Sequence, residues 1–280
     1  MKYGLYLPNF GPFGDARVLA ELARDAERAG WDGFFLWDHI ARPGAPPVVD
    51  PWIALAAIAV ATERIRIGAL VTPLARRRPW KLARETVSLD RLSNGRLIFG
   101  AGLGSSGGAN VEWASLGEET DLVRRARLLD EGLAILTGLW SGEPFDFSGS
   151  ELSVRGAQFL PVPVQSPRIP IWIAAYWPSR APLRRAARWD GLFALFRDGP
   201  PHDVAQLAEA VALVRASRTS DAPFEVVYCA DRETPVEPYA RAGATWWLAS
   251  LKPESFGATW TEPWPLERMR ERIASGPPRA

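Results

Sequence analysis

The chain is poor in the residues that staple proteins or hold metals: 280 residues include one cysteine, Cys229, and two histidines, His39 and His202. A single cysteine excludes an internal disulfide framework and any multi-cysteine metal site. Two distant histidines offer no ligand cluster, so no metal site is expected. Cys229 falls in the run EVVYCA, residues 225–230, where a buried strand position explains it better than a nucleophile does. Charge of one sign is missing too. Lys and Arg number 33 against 32 Asp and Glu, a net +1 that gives no global reason for nucleic acid or an anionic membrane. Long apolar runs are absent, and the longest, Ile53 to Ala61, is too short to span a bilayer. The first ten residues, MKYGLYLPNF, lack the charged, apolar and cleavage regions of a secretory signal, and a cytoplasmic protein is the expectation. What is present is an ordinary globular composition, 47% hydrophobic and 23% charged, with ample core. Thirteen tryptophans are many for this length. Several sit near proposed loop ends, as in an aromatic-walled pocket, though core packing accounts for most.

Along the chain, short apolar strands alternate with amphipathic helices. Tyr3 to Leu7 reads as a strand, and Asp15 caps a helix to about Ala29 with the stripe Leu19, Leu22, Ala23, Ala26. Gly33 to Trp37 is the next strand. Asp50 and Pro51 open a helix to about Thr62. Asp121 to Trp140 is a long helix with Arg124, Arg125 and Arg127 on its solvated side. Residues 142–170, rich in proline and glycine, read as an insertion after the fourth helix, with a short hairpin packed on the barrel. Strands at Ile171–Ala175, Leu192–Phe196, Phe224–Ala230 and Ala244–Ala249 follow, with helices between and after them; His202 is a cap or surface residue. Eight strands without a break in composition fit a (β/α)8 barrel in one domain, residues 1–280, and fit a doubly wound open sheet equally well. No glycine fingerprint follows the first strand, which weakens the nucleotide-binding version of the open sheet.

Residues 66–104 organise the rest. A strand around Ile65, Ile67 and Leu70 ends at Thr72-Pro73, since proline cannot continue a central ladder. A helix from Trp80 to Leu92 stops at Asn94-Gly95, and a strand from Leu97 to Ala101 runs into Gly102 and Gly104. This is one β-α-β unit with a binding edge. The stretch resembles the signature of the bacterial luciferase-like flavin oxidoreductases, whose members include coenzyme F420-dependent enzymes. The matching residues are Thr72-Pro73, Pro79, Ala83-Arg84-Glu85, Leu89-Asp90-Arg91-Leu92-Ser93, Gly95-Arg96 and Gly100-Ala101-Gly102-Leu103-Gly104. The resemblance spreads over most of the chain and decides for the α/β (β/α)8 TIM barrel.

In such barrels the site lies at the C-terminal ends of the strands, which selects Asn9, Asp38, His39, Thr72, Leu103, Gly104, Tyr176 and Trp177. A histidine at a strand end, with Asp38 beside it to keep it protonated, can exchange a proton near neutral pH. In the deazaflavin-dependent relatives the matching Asp-His pair contacts the cofactor and supplies the proton donor, which implies these roles for Asp38 and His39. The resemblance also implies a cofactor contact at Thr72, a non-prolyl cis peptide at Ala69-Leu70 and close cofactor approach at Leu103 and Gly104. A glutamate follows the glycine pair in deazaflavin sugar-phosphate dehydrogenases. Ser105 takes its place here and argues against that reaction. Tyr176-Trp177-Pro178-Ser179-Arg180 matches the family's phosphate turn, where relatives usually have Gly-Pro for Trp177-Pro178. Arg76-Arg77-Arg78 is either a solvated loop or a contact for the acidic tail of a deazaflavin. Phe10, Trp37, Ser105, Trp113 and Tyr176 are the candidate substrate contacts.

The function implied is hydride transfer between F420 and a small organic substrate, with His39 moving the proton. The alternative is an FMN-dependent monooxygenase that uses oxygen and is fed by a partner flavin reductase. A catalytically silent flavin-binding barrel is a third reading. A homodimer is expected, with neither nucleic acid nor membrane as partner.

Overall fold

In a computed structural model that describes residues 1–44, 46–104, 110–197, 203–230 and 234–278, the chain runs β1 (Lys2–Leu7), α1 (Ala16–Arg28), β2 (Gly33–Leu36) and α2 (Pro51–Ala61). It goes on through β3 (Arg66–Ala69), β4 (Thr72–Pro73), α3 (Pro79–Leu92), β5 (Phe99–Gly102) and α4 (Leu122–Trp140). Hairpin strands β6 (Phe145–Ser148) and β7 (Ser153–Ala157) precede β8 (Ile171–Tyr176), α5 (Arg180–Ala186) and β9 (Gly191–Leu195). The last elements are α6 (Asp203–Ser217), β10 (Glu225–Ala230), α7 (Val236–Arg241), β11 (Trp246–Ser250) and α8 (Leu266–Ala274). Ser105 and His202 lie outside the described residues.

Local chemistry places the helices. Asp15, Asp50 and Asp121 each precede a helix and accept hydrogen bonds from its first N–H groups, at 2.7 Å from Arg17, 2.8 Å from Trp52 and 2.9 Å from Val123. Helix α3 ends where Asn94 (φ 52°) and Gly95 (φ 79°) enter the left-handed region and the Gly95 N–H returns to Asp90 O at 2.8 Å.

Among the described residues nine strands form the main sheet, all paired in parallel, in the order β3-β2-β1-β11-β10-β9-β8-β5-β4. The sheet closes on itself because β3 also meets the approach to β5: Ile67 donates to Arg96 O at 3.1 Å, and Ile98 donates to Ile67 O at 2.8 Å. β3 and β4 are two halves of one path, so eight staves form the expected barrel. The third strand does not simply end at Thr72-Pro73. It resumes there, with Thr72 opposite Ala101 and Pro73 opposite Gly102. The cis bond expected at Ala69-Leu70 falls one bond later, at Leu70-Val71. Leu70 still belongs to the β3 ladder, donating to Leu36 O at 2.8 Å, so the interruption comes after it.

Side chains alternate across each strand and build two cores. Phe35, Leu70, Ile98, Trp172, Phe193, Val227, Trp246 and Leu248 fill the barrel, with Tyr6 and Cys229 partly buried against them. Their neighbours Phe34, Leu36, Ile171, Ile173 and Trp247 face outward to the helices. Among the described residues no helix is long and apolar enough to cross a membrane.

Candidate active site

At the C-terminal end of β1, Asn9 is fully buried and clamps the loop after β2. Its Nδ2 donates to His39 O and Val49 O, both at 2.7 Å, and its Oδ1 accepts from His39 N at 3.1 Å. The backbone of His39 is thereby fixed at the barrel mouth. The His39 ring stands 5.6 Å from the rings of both Phe10 and Trp37, and its side chain is 14% exposed. Trp260 and Trp264, from the segment after β11, extend this cluster: Trp260 lies 5.7 Å from Trp37 and 5.5 Å from Phe10. Phe10 and Trp37, two of the candidate substrate contacts, thus stand beside His39. Trp260 and Trp264 carry no motif that would have singled them out.

The carboxylate at the imidazole is not Asp38. It is Glu112, 73 residues away on a one-turn 3-10 helix (Asn110–Glu112), whose Oε2 lies 2.8 Å from His39 Nδ1. Glu112 Oε1 accepts from Ile40 N at 2.7 Å and Ala41 N at 3.3 Å, and Arg76 Nη1 stands 3.7 Å away. Burial pushes this carboxyl up, but the His39 ring and the two backbone N–H groups outweigh it and hold the group below the ordinary glutamate range. No described residue bonds to His39 Nε2.

Asp38 instead turns its carboxylate, none of it exposed, to two arginines. Arg77 Nη2 donates at 2.7 and 2.8 Å, and Arg76 Nη2 donates to Oδ1 at 3.0 Å and to the Asp38 carbonyl at 2.8 Å. Two adjacent guanidinium groups outcompete a neighbouring imidazole for that carboxylate. Arg76 and Arg77 are accordingly tucked in rather than solvated, and only Arg78 of the three is exposed. Leu74, Arg76, Arg77 and Arg78 line a cavity of about 480 Å3 together with Glu118, Glu119, Arg124 and the hairpin residues Glu151 and Leu152.

The side chain that closely approaches Gly104 is that of Trp113. A Cβ at Gly104 would fall 2.5 Å from the Trp113 ring and 3.0 Å from Pro73, and φ is +79°. Trp113 is buried between Arg76, 5.5 Å from its ring centroid, and Arg125, 3.2 Å from it. Arg125 is therefore no part of a solvated patch: it is buried, and its Nε donates to Glu119 O at 2.6 Å. Leu103, just before Gly104, is half-buried against the outer core.

Ala69 and Leu70 are buried, Leu70 inside the barrel. The carbonyl of Leu70 accepts the Tyr6 hydroxyl at 2.6 Å. Burial, then Cys229 and Tyr176, hold that phenol far above its usual range, so it remains a neutral donor. Thr72 is fully buried and its Oγ1 has no partner among the described residues; Trp37 Nε1 and Trp113 Nε1 share that condition. Buried polar atoms are normally paired, so orphans around a barrel mouth fit a ligand with carbonyl and N–H edges.

The turn after β8 offers less. Tyr176 is 53% exposed, and Pro178, Ser179 and Arg180 are exposed. The N–H of Trp177 goes to Leu195 O and that of Ser179 to Tyr176 O, both at 2.9 Å. Pro178 and Pro182 have none, so the backbone donors left to an anion there are those of Arg180 and Ala181, with the Arg180 guanidinium beside them.

Residues 1–253 match the family described as luciferase-like monooxygenase. An uncharacterized protein of Mycobacterium tuberculosis is 28% identical over 228 residues, 73% of this chain and 74% of its own. An F420-dependent secondary alcohol dehydrogenase, solved with an F420–acetone adduct, has a TM-score of 0.73 at 16% identity, covering 89% of this chain and 93% of that one. The FMN-bound oxygenating constituent of 3,6-diketocamphane monooxygenase from Pseudomonas putida has a TM-score of 0.65 at 18% identity, covering 82% and 68%. At these identities the structural likenesses establish the fold.

Proposed function

The chain belongs to the luciferase-like monooxygenase family, and from that premise we propose that it is an oxidoreductase that binds a deazaflavin of the F420 type at the barrel mouth and transfers a hydride between it and a small organic substrate. The observation that carries this reading is His39, fixed at the mouth by Asn9 and Glu112 with no described partner at Nε2. Thr72 Oγ1 and Trp37 Nε1, buried and unpaired, are the polar atoms the chain offers to the cofactor ring. Arg180 and the backbone N–H groups beside it would hold the phosphate.

A bound deazaflavin supplies a carbon that takes up or returns a hydride and reacts poorly with oxygen. The chain's own part is orientation and proton movement. Phe10, Trp37 and Trp260 pack together beside His39 and would give the bound ring an apolar wall. His39 Nε2 gives or takes the proton that accompanies the hydride, a contribution of about 10²–10⁴-fold for a well-placed acid or base. Asp38 acts on the loop rather than on the substrate, because its carboxylate is spent on Arg76 and Arg77.

Parallel equilibrium titrations of the protein with F420 and with FMN, at one ionic strength, test the reading. Preference for F420 is expected. Preference for FMN, with oxygen consumed during turnover in the presence of a flavin reductase, would replace it with the monooxygenase reading.

A further inference from the structure

We propose that Glu112 is the positioning residue of His39, holding the neutral imidazole in its Nδ1–H tautomer so that Nε2 is the ring nitrogen that handles the proton. The inference rests on the reading of His39 given above. An ionised carboxylate only accepts hydrogen bonds, so the ring nitrogen 2.8 Å from Glu112 Oε2 must be the one that carries the proton. Nε2 is then a bare acceptor when the ring is neutral and a donor when it is charged. Asn9 fixes the backbone on both sides of the ring while Glu112 fixes the ring itself, which leaves His39 little freedom to turn.

Glu112 is not a second acid or base. Its side chain is 3% exposed, Oε2 is engaged by His39, and Oε1 is engaged by Ile40 N and Ala41 N with Arg76 Nη1 close by. The lone pair that remains on Oε2 is buried with the rest of the carboxylate, out of a substrate's reach. Of this pair, His39 is the member placed to move the one proton that accompanies each hydride. An alcohol–carbonyl interconversion would meet that balance: carbon loses or gains a hydride, oxygen loses its proton to His39 Nε2 or gains it from there, and a bound deazaflavin would supply the acceptor or donor of the hydride and its two electrons.

The same geometry makes glutamine a sharp test. In Glu112→Gln only one oxygen remains. Two backbone donors and a guanidinium compete for it on the Oε1 side, against one imidazole on the other. The amide oxygen therefore stays with Ile40 and Ala41, the amide NH2 turns to Nδ1, and the ring must invert to the Nε2–H tautomer. Nitrogen-15 NMR of the histidine-labelled full-length protein reads this directly, because the chain has only two histidines and His202→Gln assigns them.

Above the ring's titration range the wild type should show a protonated Nδ1 and a bare Nε2, Glu112→Gln the reverse, and Glu112→Asp, which keeps two accepting oxygens, the wild-type pattern. Turnover of Glu112→Gln should fall roughly 10²–10⁴-fold, with cofactor affinity changed less than about threefold. A wild-type ring protonated on Nε2, or no inversion in Glu112→Gln, would overturn the proposal. Inversion as expected, together with unimpaired turnover in His39→Asn, would instead overturn the role given to His39 and leave the tautomer assignment standing.

Discussion

Thr72 carries a hydroxyl that is fully buried and bonded to nothing among the described residues, an arrangement that costs about 1–3 kcal/mol. Thr72→Val replaces that hydroxyl with a methyl group of similar size. The protein without cofactor should therefore be as stable as the wild type, or up to about 1 kcal/mol more stable, while cofactor affinity drops about tenfold, the equivalent of one lost hydrogen bond. Urea unfolding and a binding titration on the same preparation check both halves; a less stable variant with unchanged affinity would make Thr72 a core residue and nothing more. At this scale the sequence was readable wherever a residue's place followed from a strand end. Asn9, Asp38, His39 and Thr72 all stand there. It was not readable where the partner comes from another loop. Nothing about Glu112 in GGANVEW ties it to a histidine 73 positions earlier, and Asp38, the obvious neighbour, is drawn off by Arg76 and Arg77. Trp113, a candidate substrate contact, is held over Gly104 by Arg125 and Arg76, neither of which the sequence pairs with it.

Between elements, the signature stretch that made the family legible is largely fold chemistry rather than site chemistry. Asp90 accepts from Val164 N, Gln165 N and Gln165 Nε2, tying α3 to the segment that leads into β8. Arg96 reaches further. Its guanidinium donates to Ala59 O, Thr62 O and Thr62 Oγ1 at the end of α2, to Ile65 O before β3 and to Ser93 O after α3. Helix C-termini leave carbonyls unsatisfied and carry partial negative charge, so one buried cation serves two helix ends and a strand. Arg96→Met removes every one of these bonds from a buried place and should destabilise the fold by about 2–4 kcal/mol. Arg127→Met, on the half-exposed Arg127–Glu151 pair, should cost about 0.5 kcal/mol. Equal losses in chemical unfolding would refute the assignment of Arg96 as the joint. Element boundaries were legible for the same local reasons. Helix α2 is apolar on nearly every side, with Ile53 and Val60 facing solvent, so periodicity says little about it; the Asp50 cap and Pro51 place its start.

For the molecule as a whole, strand–helix alternation left the barrel and the open sheet equal, because closure depends on pairings that no local pattern records, Ile67 with Arg96 and Ile98, and Thr72-Pro73 with Ala101-Gly102. What the closed barrel gains is a set of carboxylates committed far along the chain, and these set its response to pH. Burial pushes each of them up, but specific partners outweigh it: Ile65, Arg64 and Glu63 N–H groups at Glu27, His39 at Glu112, Arg185 and Arg188 at Asp130, Thr245 and Lys2 at Glu225. All four lie below their ordinary range when folded and return to about 3.9–4.3 when unfolded. Between those values the unfolded chain binds more protons, so stability is fully present above about pH 5 and falls as acid titrates the folded carboxyls. The alkaline side has the opposite cause. Burial first, then the hydrogen bond to Asp203, pushes the Tyr239 phenol up to about 12, and Tyr228, bonded to the same carboxylate, is raised further still. An unfolded tyrosine ionises near 10, so the folded state holds the extra proton there and stability falls as pH rises from about 10 through 12. Urea unfolding from pH 3 to 11 should therefore trace a plateau between about pH 5 and 10 with a falling limb on each side. Asp203→Asn should flatten the alkaline limb, since a neutral amide no longer opposes ionisation of the two phenols. Stability that climbs as pH drops from 5 to 3.5 would show that the carboxylate partners do not hold these groups ionised, and the network around Glu112 would be the first part of the site to be reconsidered.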